Sequence, residues 1–571
     1  MTTERELARR FLRGLRSPLL LRPLAAAGSG LLLAASFPPL EWGDAAWVAL
    51  VPLLLALQEV RPREAFRLGF SAGAVFYLFS LAWLTHVTVA GWLALALYCA
   101  LYLGGFAVMS GWCMRRLGTE RSLRNIALLV LVAALWVGFE YGRSVLFTGF
   151  PWNALGISQY RNLPVIQIAR WGGVYAVSAL VLVVNTGMTL TVLRYVRMFR
   201  GRRERTRHTW RRIMASGRQA AEAEAEAEET APRHARAPRF HAELMVALFL
   251  VASVLFVGLR SLLRAAPQGT EFLVTAVQPN VPQPLKWDED QAERTHQALK
   301  ELSEFGILVC RVIHGRAPDL LVWPETAVPD FVLRSETSST LVRSLLTNGV
   351  PILVGSMDLS YADDLPVYYN SSILFNPDGT QAGKYDKQHL VVFGEYVPLE
   401  RVVPFIRALT PIRDSFSPGH EATVFRVRNV PFSALICFED TMARLASRFV
   451  RQGARMLVNQ TNDAWFDPSA GSRQHLCHCV FRCVENRVPS VRAANTGVTC
   501  AIDRTGRITR MLKNAKGEIR TADALTMQVW IPAPDMPLTF YTRYGDVFAR
   551  ICAGALLATA ILALTRRRSV R

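Results

Sequence analysis

The sequence predicts two structural regimes in one chain: a polytopic bundle of membrane-spanning α-helices and an α/β domain outside the bilayer. Three observations carry this reading. Hydrophobic residues make up 51% of the 571 positions, more than a soluble protein of this length needs. Long apolar runs fill the first 265 residues and recur once near 548–565. From about 270 to 545 the texture changes to short β-rich runs separated by helix-like stretches.

The apolar runs fall near 19–38, 44–58, 66–86, 90–112, 124–146, 168–193 and 243–263, with the last at 548–565. Each approaches the ~20 residues a helix needs to cross the hydrocarbon core, except 44–58, which is short and open to a re-entrant reading. Arginine sets the orientation. Basic segments (the first 22 residues, Arg61 to Arg67, Arg115 to Arg124, the run from Arg194, and the tail "RRRSVR") alternate with "SFPPLEWGD", "HVTVAG" and "FTGFPWNALG", which are poor in Lys and Arg. Eight spans with both termini in the cytoplasm satisfy every segment, and 266–546 then faces the other side. The basic start followed by an apolar run also has the form of a signal peptide. An uncleaved anchor is preferred, since no cleavage site stands out.

On this reading the net charge of +20 records topology and not a nucleic-acid partner. There is no Walker loop and no G-x-G-x-x-G ahead of a helix, so nucleotide chemistry has no support. The segment 200–240 joins an Arg block to "AEAEAEAEE". Its composition suits RNA or acidic headgroups, but a solvated cytoplasmic loop is the simpler reading. The expected division is a transmembrane region at 1–265 with a basic cytoplasmic loop near 195–242, an α/β region at 266–546, and a C-terminal helix with a basic tail at 547–571.

Within 266–546 the β-rich runs are "EFLVTAVQ", "DLLVWPE", "PILVGSMD", "SSILFNPDG", "FSALICFED", "ARMLVNQTND" and "TGVTCAIDR", with helix-like stretches at 290–304, 335–347, 441–452 and 473–487. Three motifs place reactive groups at or beyond strand ends, where sites form in open α/β sheets. "LLVWPET" presents Glu325, "YDKQHLVVFGEYVP" presents Lys387 and then Glu395, and "ALICFED" ends in Cys437 and Glu439. A lone buried cysteine is normally an inert small hydrophobe. A thiol with a carboxylate base and a cation is a different object. Glu325 can take its proton, and Lys387 can stabilise the thiolate and then an oxyanion. Helix-like residues after Cys437 are expected to lower its pKa further. Lys286 lies outside this triad, and its loss is expected to cost far less than that of Lys387.

These motifs, with "VQPNVPQPLKW", "NDAWF", "RAANTGVT" and "FTGFPWN", resemble those of the apolipoprotein N-acyltransferase family, membrane members of the nitrilase (carbon–nitrogen hydrolase) superfamily. The likeness covers nearly the whole chain. It implies a nitrilase-like αββα sandwich for 266–546, Glu325, Lys387 and Cys437 as catalytic triad, and Glu395, Glu439, Phe438, Trp287 and Trp465 in support. Phe438 stands where the family often has Tyr, and Val392 where Pro is usual. The resemblance further implies ping-pong transfer of an acyl chain from a membrane phospholipid, through a Cys437 thioester, to the α-amine of diacylglyceryl-cysteine in an apolipoprotein. The setting would be the bacterial inner membrane, with the catalytic region on the periplasmic side and no cofactor.

A membrane-anchored amidase would share the triad and give the thioester to water. A transporter or binding scaffold is less favoured: the intramembrane charges Glu140 and Arg143 lie near the outer end of the fifth span, where they cap or pair locally. "HLCHCVFRC" sets His475, Cys479 and Cys483 one helical turn apart, but no fourth ligand completes a zinc set, so no metal is expected and a core helix is preferred.

Overall fold

The computed structural model describes residues 18–119, 121–216, 241–265, 269–286, 288–362, 364–397, 415–466 and 468–568. The membrane region is built from α1 (Pro18–Ala35), α2 (Val51–Ala56), α3 (Pro62–Ser80), α4 (Val89–Leu117), α5 (Ser122–Val145), α6 (Leu163–Ile166), α7 (Ala169–Ser216) and α8 (Ala242–Leu263). Among the described residues, five helices are long and apolar enough to cross a bilayer: Val89–Leu117, Ser122–Val145, Ala169–Phe199, Ala242–Leu263 and Val547–Thr565.

The run expected at 44–58 is not one helix but a 3₁₀ turn, Gly43–Trp47, followed by the six-residue α2. The break frees backbone groups, and buried side chains from other helices satisfy them. The Leu50 N–H donates to Asn185 Oδ1 at 2.8 Å, the Leu53 N–H to Ser29 Oγ at 2.9 Å, and Asn185 Nδ2 to the Ala46 carbonyl at 2.9 Å. Irregular backbone survives among membrane helices only when protein groups pair it in this way. The run 66–86 likewise ends as helix at Ser80 and closes in a 3₁₀ turn, Ala82–His86. α7 continues to Ser216, so the first part of the basic segment extends a helix; the rest of the expected loop, 217–240, lies outside the described residues.

The α/β region is two six-stranded sheets. The first contains β1 (Thr270–Gln278), β2 (Leu320–Val322), β3 (Ile352–Ala362), β4 (Leu365–Phe375), β5 (Gln381–Asp386) and β12 (Asp523–Ile531), in the order β12-β1-β2-β3-β4-β5. The second contains β6 (Phe425–Val427), β7 (Val430–Ile436), β8 (Met456–Thr461), β9 (Ser490–Ala494), β10 (Cys500–Ile502) and β11 (Ile508–Met511), in the order β11-β10-β9-β8-β7-β6. The parallel strands β7, β8 and β9 are buried along their whole length, as strands covered on both faces must be. Between the sheets Val274, Val322, Phe432 and Leu457 share one core. Ser372 Oγ also reaches Gln460 Oε1 across the gap at 2.5 Å.

Helices α9 (Glu289–His314) and α10 (Glu336–Leu346) flank the first sheet, and α11 (Ala443–Arg451) and α12 (Gly471–Asn486) the second. α9 outruns its sequence expectation because Gly306 does not stop it: a Cβ there would fall 2.6 Å from the Thr275 side chain, so the glycine serves close packing. The helix ends instead at Gly315, in the left-handed region at φ +69°.

α12 is buried on nearly every side because the membrane helices cover its outer face. Gln474 is the junction. Its Oε1 accepts from Trp83 Nε1 at 3.2 Å and Trp152 Nε1 at 2.8 Å, while its Nε2 donates to the carbonyls of Pro38 and Ser80, each at 2.9 Å. Leu476, Val480 and Val484 join Leu135, Trp152 and Val177 in a single hydrophobic core. The sandwich is therefore seated on the helix bundle and not merely tethered to it. α13 (Phe540–Tyr544) and α14 (Val547–Arg568) lead the chain back into the membrane region.

Candidate active site

Glu325, Lys387 and Cys437 arrive from three strand ends. Glu325 follows β2 in a loop laid flat on β3: the Ala327 N–H donates to the Gly355 carbonyl at 2.7 Å. A Cβ on Gly355 would fall 2.1 Å from the Pro324 carbonyl oxygen, so only glycine admits the loop there. Lys387 follows β5, and its N–H donates to the Asn370 carbonyl on β4 at 2.8 Å. Cys437 follows β7 with φ +52°, and Thr326 beside Glu325 has φ +42°. Such conformations cost non-glycine residues about 1–3 kcal/mol and collect at functional sites.

Lys387 is 1% exposed. Its Nζ lies 2.9 Å from Glu395 Oε1 and 3.3 Å from Glu325 Oε1. Asn370 Nδ2 spans the same two oxygens at 3.0 and 2.8 Å. Glu395 is held in turn by the Val391 N–H at 2.8 Å. One ammonium and one amide thus bracket two carboxylates. Burial works against the Lys387 charge, but Glu395 and then Glu325 hold its pKa well above the ordinary lysine value.

Burial pushes the Cys437 thiol well above its ordinary range; Glu325 adds to this, and Lys387 and Thr461 oppose it. The resting group is the thiol, and it must lose its proton as it attacks. This corrects the expectation of a thiolate favoured by a following helix. Cys437–Thr441 is a five-residue 3₁₀ turn, and α11 begins only at Ala443.

Lys286 lies outside the triad but packs directly against it. It is buried, and its Nζ donates to the Glu325 carbonyl at 3.0 Å. Burial lowers its pKa to about 8, against the pull of Glu325 and Cys437. It stands just past a 3₁₀ turn, Gln283–Leu285. Its neighbour Trp287 lies outside the described residues.

Glu439 ties the nucleophile turn to the lysine loop. Its Oε1 accepts from the Tyr385 hydroxyl at 2.8 Å and the Gln388 and His389 N–H groups at 2.7 and 3.1 Å; its Oε2 accepts from the Ile436 N–H at 2.8 Å. Burial raises its pKa to about 7 against these donors and Lys387. Phe438 stacks on Trp152, with centroids 6.1 Å apart and planes 3° from parallel. Trp152 is positioned by the two buried charges of α5: Arg143 Nη1 donates to the Phe150 and Trp152 carbonyls, each at 2.7 Å, and Glu140 Oε1 accepts from the Leu155 N–H at 2.6 Å. They fasten a loop, and no ion pair joins them among the described residues. Trp465 is 41% exposed, whereas its neighbour Phe466 packs edge-on to Trp83 at 4.5 Å.

Below the nucleophile, His475 was legible only as a possible metal ligand. Its Nε2 lies 2.7 Å from Asp440 Oδ1 and 3.2 Å from the Cys437 carbonyl, and its Nδ1 lies 3.0 Å from Asp463 Oδ1. Burial disfavours its charge, yet Asp440, against Arg492 and with hydrogen bonds donated to Asp440 and Asp463, brings its pKa to about 9. His475 Nε2 and Asn459 Nδ2, each at 3.2 Å, hold the carbonyl of the strained Cys437. Cys479 Sγ lies 3.2 Å from Ser490 Oγ, inside the core.

Residues 29–187 match the family model described as Apolipoprotein N-acyltransferase N-terminal domain, and residues 273–530 match Carbon-nitrogen hydrolase. A protein of Geobacter metallireducens named Apolipoprotein N-acyltransferase is 37% identical over 564 residues, covering 96% of each chain. One of the same name from Chlorobaculum tepidum is 28% identical over 578 residues, covering 95% of this chain and 96% of its own. Among solved structures, Saccharomyces cerevisiae Nit3, a member of branch 10 of the nitrilase superfamily, aligns at 18% identity with a TM-score of 0.35, over 47% of this chain and 93% of its own. With its membrane helices, its carbon–nitrogen hydrolase sandwich and a 37% identical relative matched from end to end, the chain belongs to the apolipoprotein N-acyltransferase family.

Proposed function

We propose that this chain completes apolipoproteins by moving an acyl chain from a membrane phospholipid to the α-amine of diacylglyceryl-cysteine, with Cys437 as the carrier. The observation that carries the reading is the cluster of Glu325, Lys387, Glu395 and Asn370 beside a positive-φ cysteine, on a sandwich whose next residue, Phe438, packs on membrane-bundle Trp152. In the first half-reaction the Cys437 thiol gives its proton to Glu325 as sulfur attacks the ester carbonyl carbon. Lys387 stabilises the resulting oxyanion, its charge already secured by Glu395. The tetrahedral adduct collapses by breaking the bond to the glycerol oxygen, which takes the proton from Glu325 and leaves as lysophospholipid. In the second half the amine attacks the thioester, Glu325 takes its proton and returns it to the departing sulfur.

The same proposal divides the chain into a transmembrane region at 1–265, a catalytic region at 266–546 and a C-terminal helix and tail at 547–571, in the bacterial inner membrane with the catalytic region extracytoplasmic. The alternating arginine segments support that orientation. The test is product analysis: purified protein given phospholipid and a diacylglyceryl-cysteine peptide yields N-acylated peptide. Release of free fatty acid with the peptide untouched returns the site to the amidase reading.

A further inference from the structure

Where the sandwich meets the bundle, a cavity of about 290 Å³ is lined by Tyr141, Arg444, Arg451, Tyr544, Asp546 and Arg550 among others. Its walls come from the end of α5, from α11, from the end of α13 with the link that follows it, and from the first turn of α14. The charges in it do not balance. Asp546 is committed: its Oδ2 accepts from Arg444 Nε at 2.6 Å and its Oδ1 from the Tyr541 hydroxyl at 2.6 Å. Arg444 Nη2 turns to the Tyr141 hydroxyl, also at 2.6 Å. Arg451 and Arg550 reach only backbone carbonyls, of Thr542 at 3.4 Å and Tyr544 at 3.1 Å, and neither meets a carboxylate among the described residues.

We infer that this cavity binds the phosphate of an anionic phospholipid headgroup, at a site separate from the Cys437 centre. Two guanidinium forks without a counter-ion suit phosphate oxygens, which accept paired N–H bonds. The N-terminal turn of α14 adds a favourable backbone field. Tyrosines flanking the arginines are the usual residues of the headgroup zone. The orientation proposed above puts these arginines on the outer side, where the positive-inside bias gives cations no topological reason to collect. The inference rests on the chain being a membrane protein in the orientation proposed above, and not on acyl transfer.

The test uses the full chain in detergent micelles, with thermal stabilisation as the readout of binding. The probes are dioleoylphosphatidylglycerol, dioleoylglycerol with the same chains but no phosphate, and inorganic phosphate. The expected result is stabilisation of wild type by phosphatidylglycerol alone. Arg451→Gln/Arg550→Gln weakens the apparent Kd by about tenfold or more, as loss of charge-assisted bonds requires. The paired Lys variants, which keep charge but lose the fork, fall between. Cys437→Ala binds as wild type does, which excludes covalent acylation as the source of the stabilisation, and the dependence on Arg451 and Arg550 separates this site from donor binding at the Cys437 centre. Equal stabilisation by dioleoylglycerol, or an unchanged Kd in the double variant, overturns the site. Full stabilisation by inorganic phosphate alone overturns the lipid as its source.

Discussion

Replacing Lys387 by Met removes the one ammonium that both Glu325 and Glu395 share. At separations of 3.3 and 2.9 Å, each carboxylate loses a gross attraction of roughly 5 kcal/mol at an effective dielectric of about 20. Much of that was offset by desolvation, and breaking a buried pair of this kind costs about 3–5 kcal/mol of stability. Two carboxylates would then face one amide, that of Asn370, with no cation between them. Their repulsion disturbs the placement of the base, and the oxyanion stabiliser is lost with the ammonium. Acyl transfer should fall by about 10²–10⁴-fold. Lys387→Met/Glu395→Gln separates the two effects, because it removes one carboxylate with the cation. It should recover much of the stability, read by thermal unfolding in detergent, and little of the rate, read by acylation of a diacylglyceryl-cysteine peptide. A double variant that regains both, or a single variant within tenfold of wild type, would show that Lys387 is a structural counter-ion with no part in the chemistry.

Lys286→Met should slow thioester formation by roughly tenfold to a hundredfold, since it deletes a charge-assisted bond to the loop that carries Glu325. In wild type the rate should decline above pH about 8 as that ammonium titrates, and Lys286→Arg should abolish the decline; a profile identical in both would remove Lys286 from the site. His475, raised from 6.5 to about 9, contributes stability that is complete below pH 6.5 and is lost as pH rises through about 9, a change of roughly 3 kcal/mol. Thermal unfolding from pH 6 to 9.5 should show that loss in wild type and a flatter profile in His475→Gln; parallel profiles would count against the imidazolium. A reporter active only in the cytoplasm, fused after Asn280, should be silent, and activity there would invert the proposed orientation.

The sequence exposed what is local. The strands ending at Val322 and Ile436 could be read from their apolar runs, and each run pointed to its reactive group, whereas β5 is largely polar and Lys387 was legible only from its motif. The groups brought in by tertiary contact stayed hidden. Asn370 lies inside a β-strand and Lys286 in an irregular segment, so neither carries a periodic signal, and only the stacking of chain segments puts them against Glu325. The spacing of His475, Cys479 and Cys483 suggested a shared helix face, which α12 provides, but not that His475 would meet two carboxylates from other turns. The broken segment at 43–56 was beyond hydropathy for a similar reason. Its apolar composition is continuous, and the break is tolerated only because Asn185 and Ser29 on other helices pair the freed backbone. Glu140 and Arg143 were expected to act locally, and they do so through the backbone of the Trp152 loop.

The central claim is that Cys437 carries the acyl group, and intact-mass and peptide mass spectrometry of the protein given phospholipid alone tests it most directly. The account predicts an acyl adduct on the Cys437 peptide, released by neutral hydroxylamine, discharged by a diacylglyceryl-cysteine peptide, and absent from Cys437→Ala and Glu325→Gln variants that fold and insert normally. Full acyl transfer by a wild-type protein whose Cys437 is never labelled, or by Cys437→Ala, would contradict it.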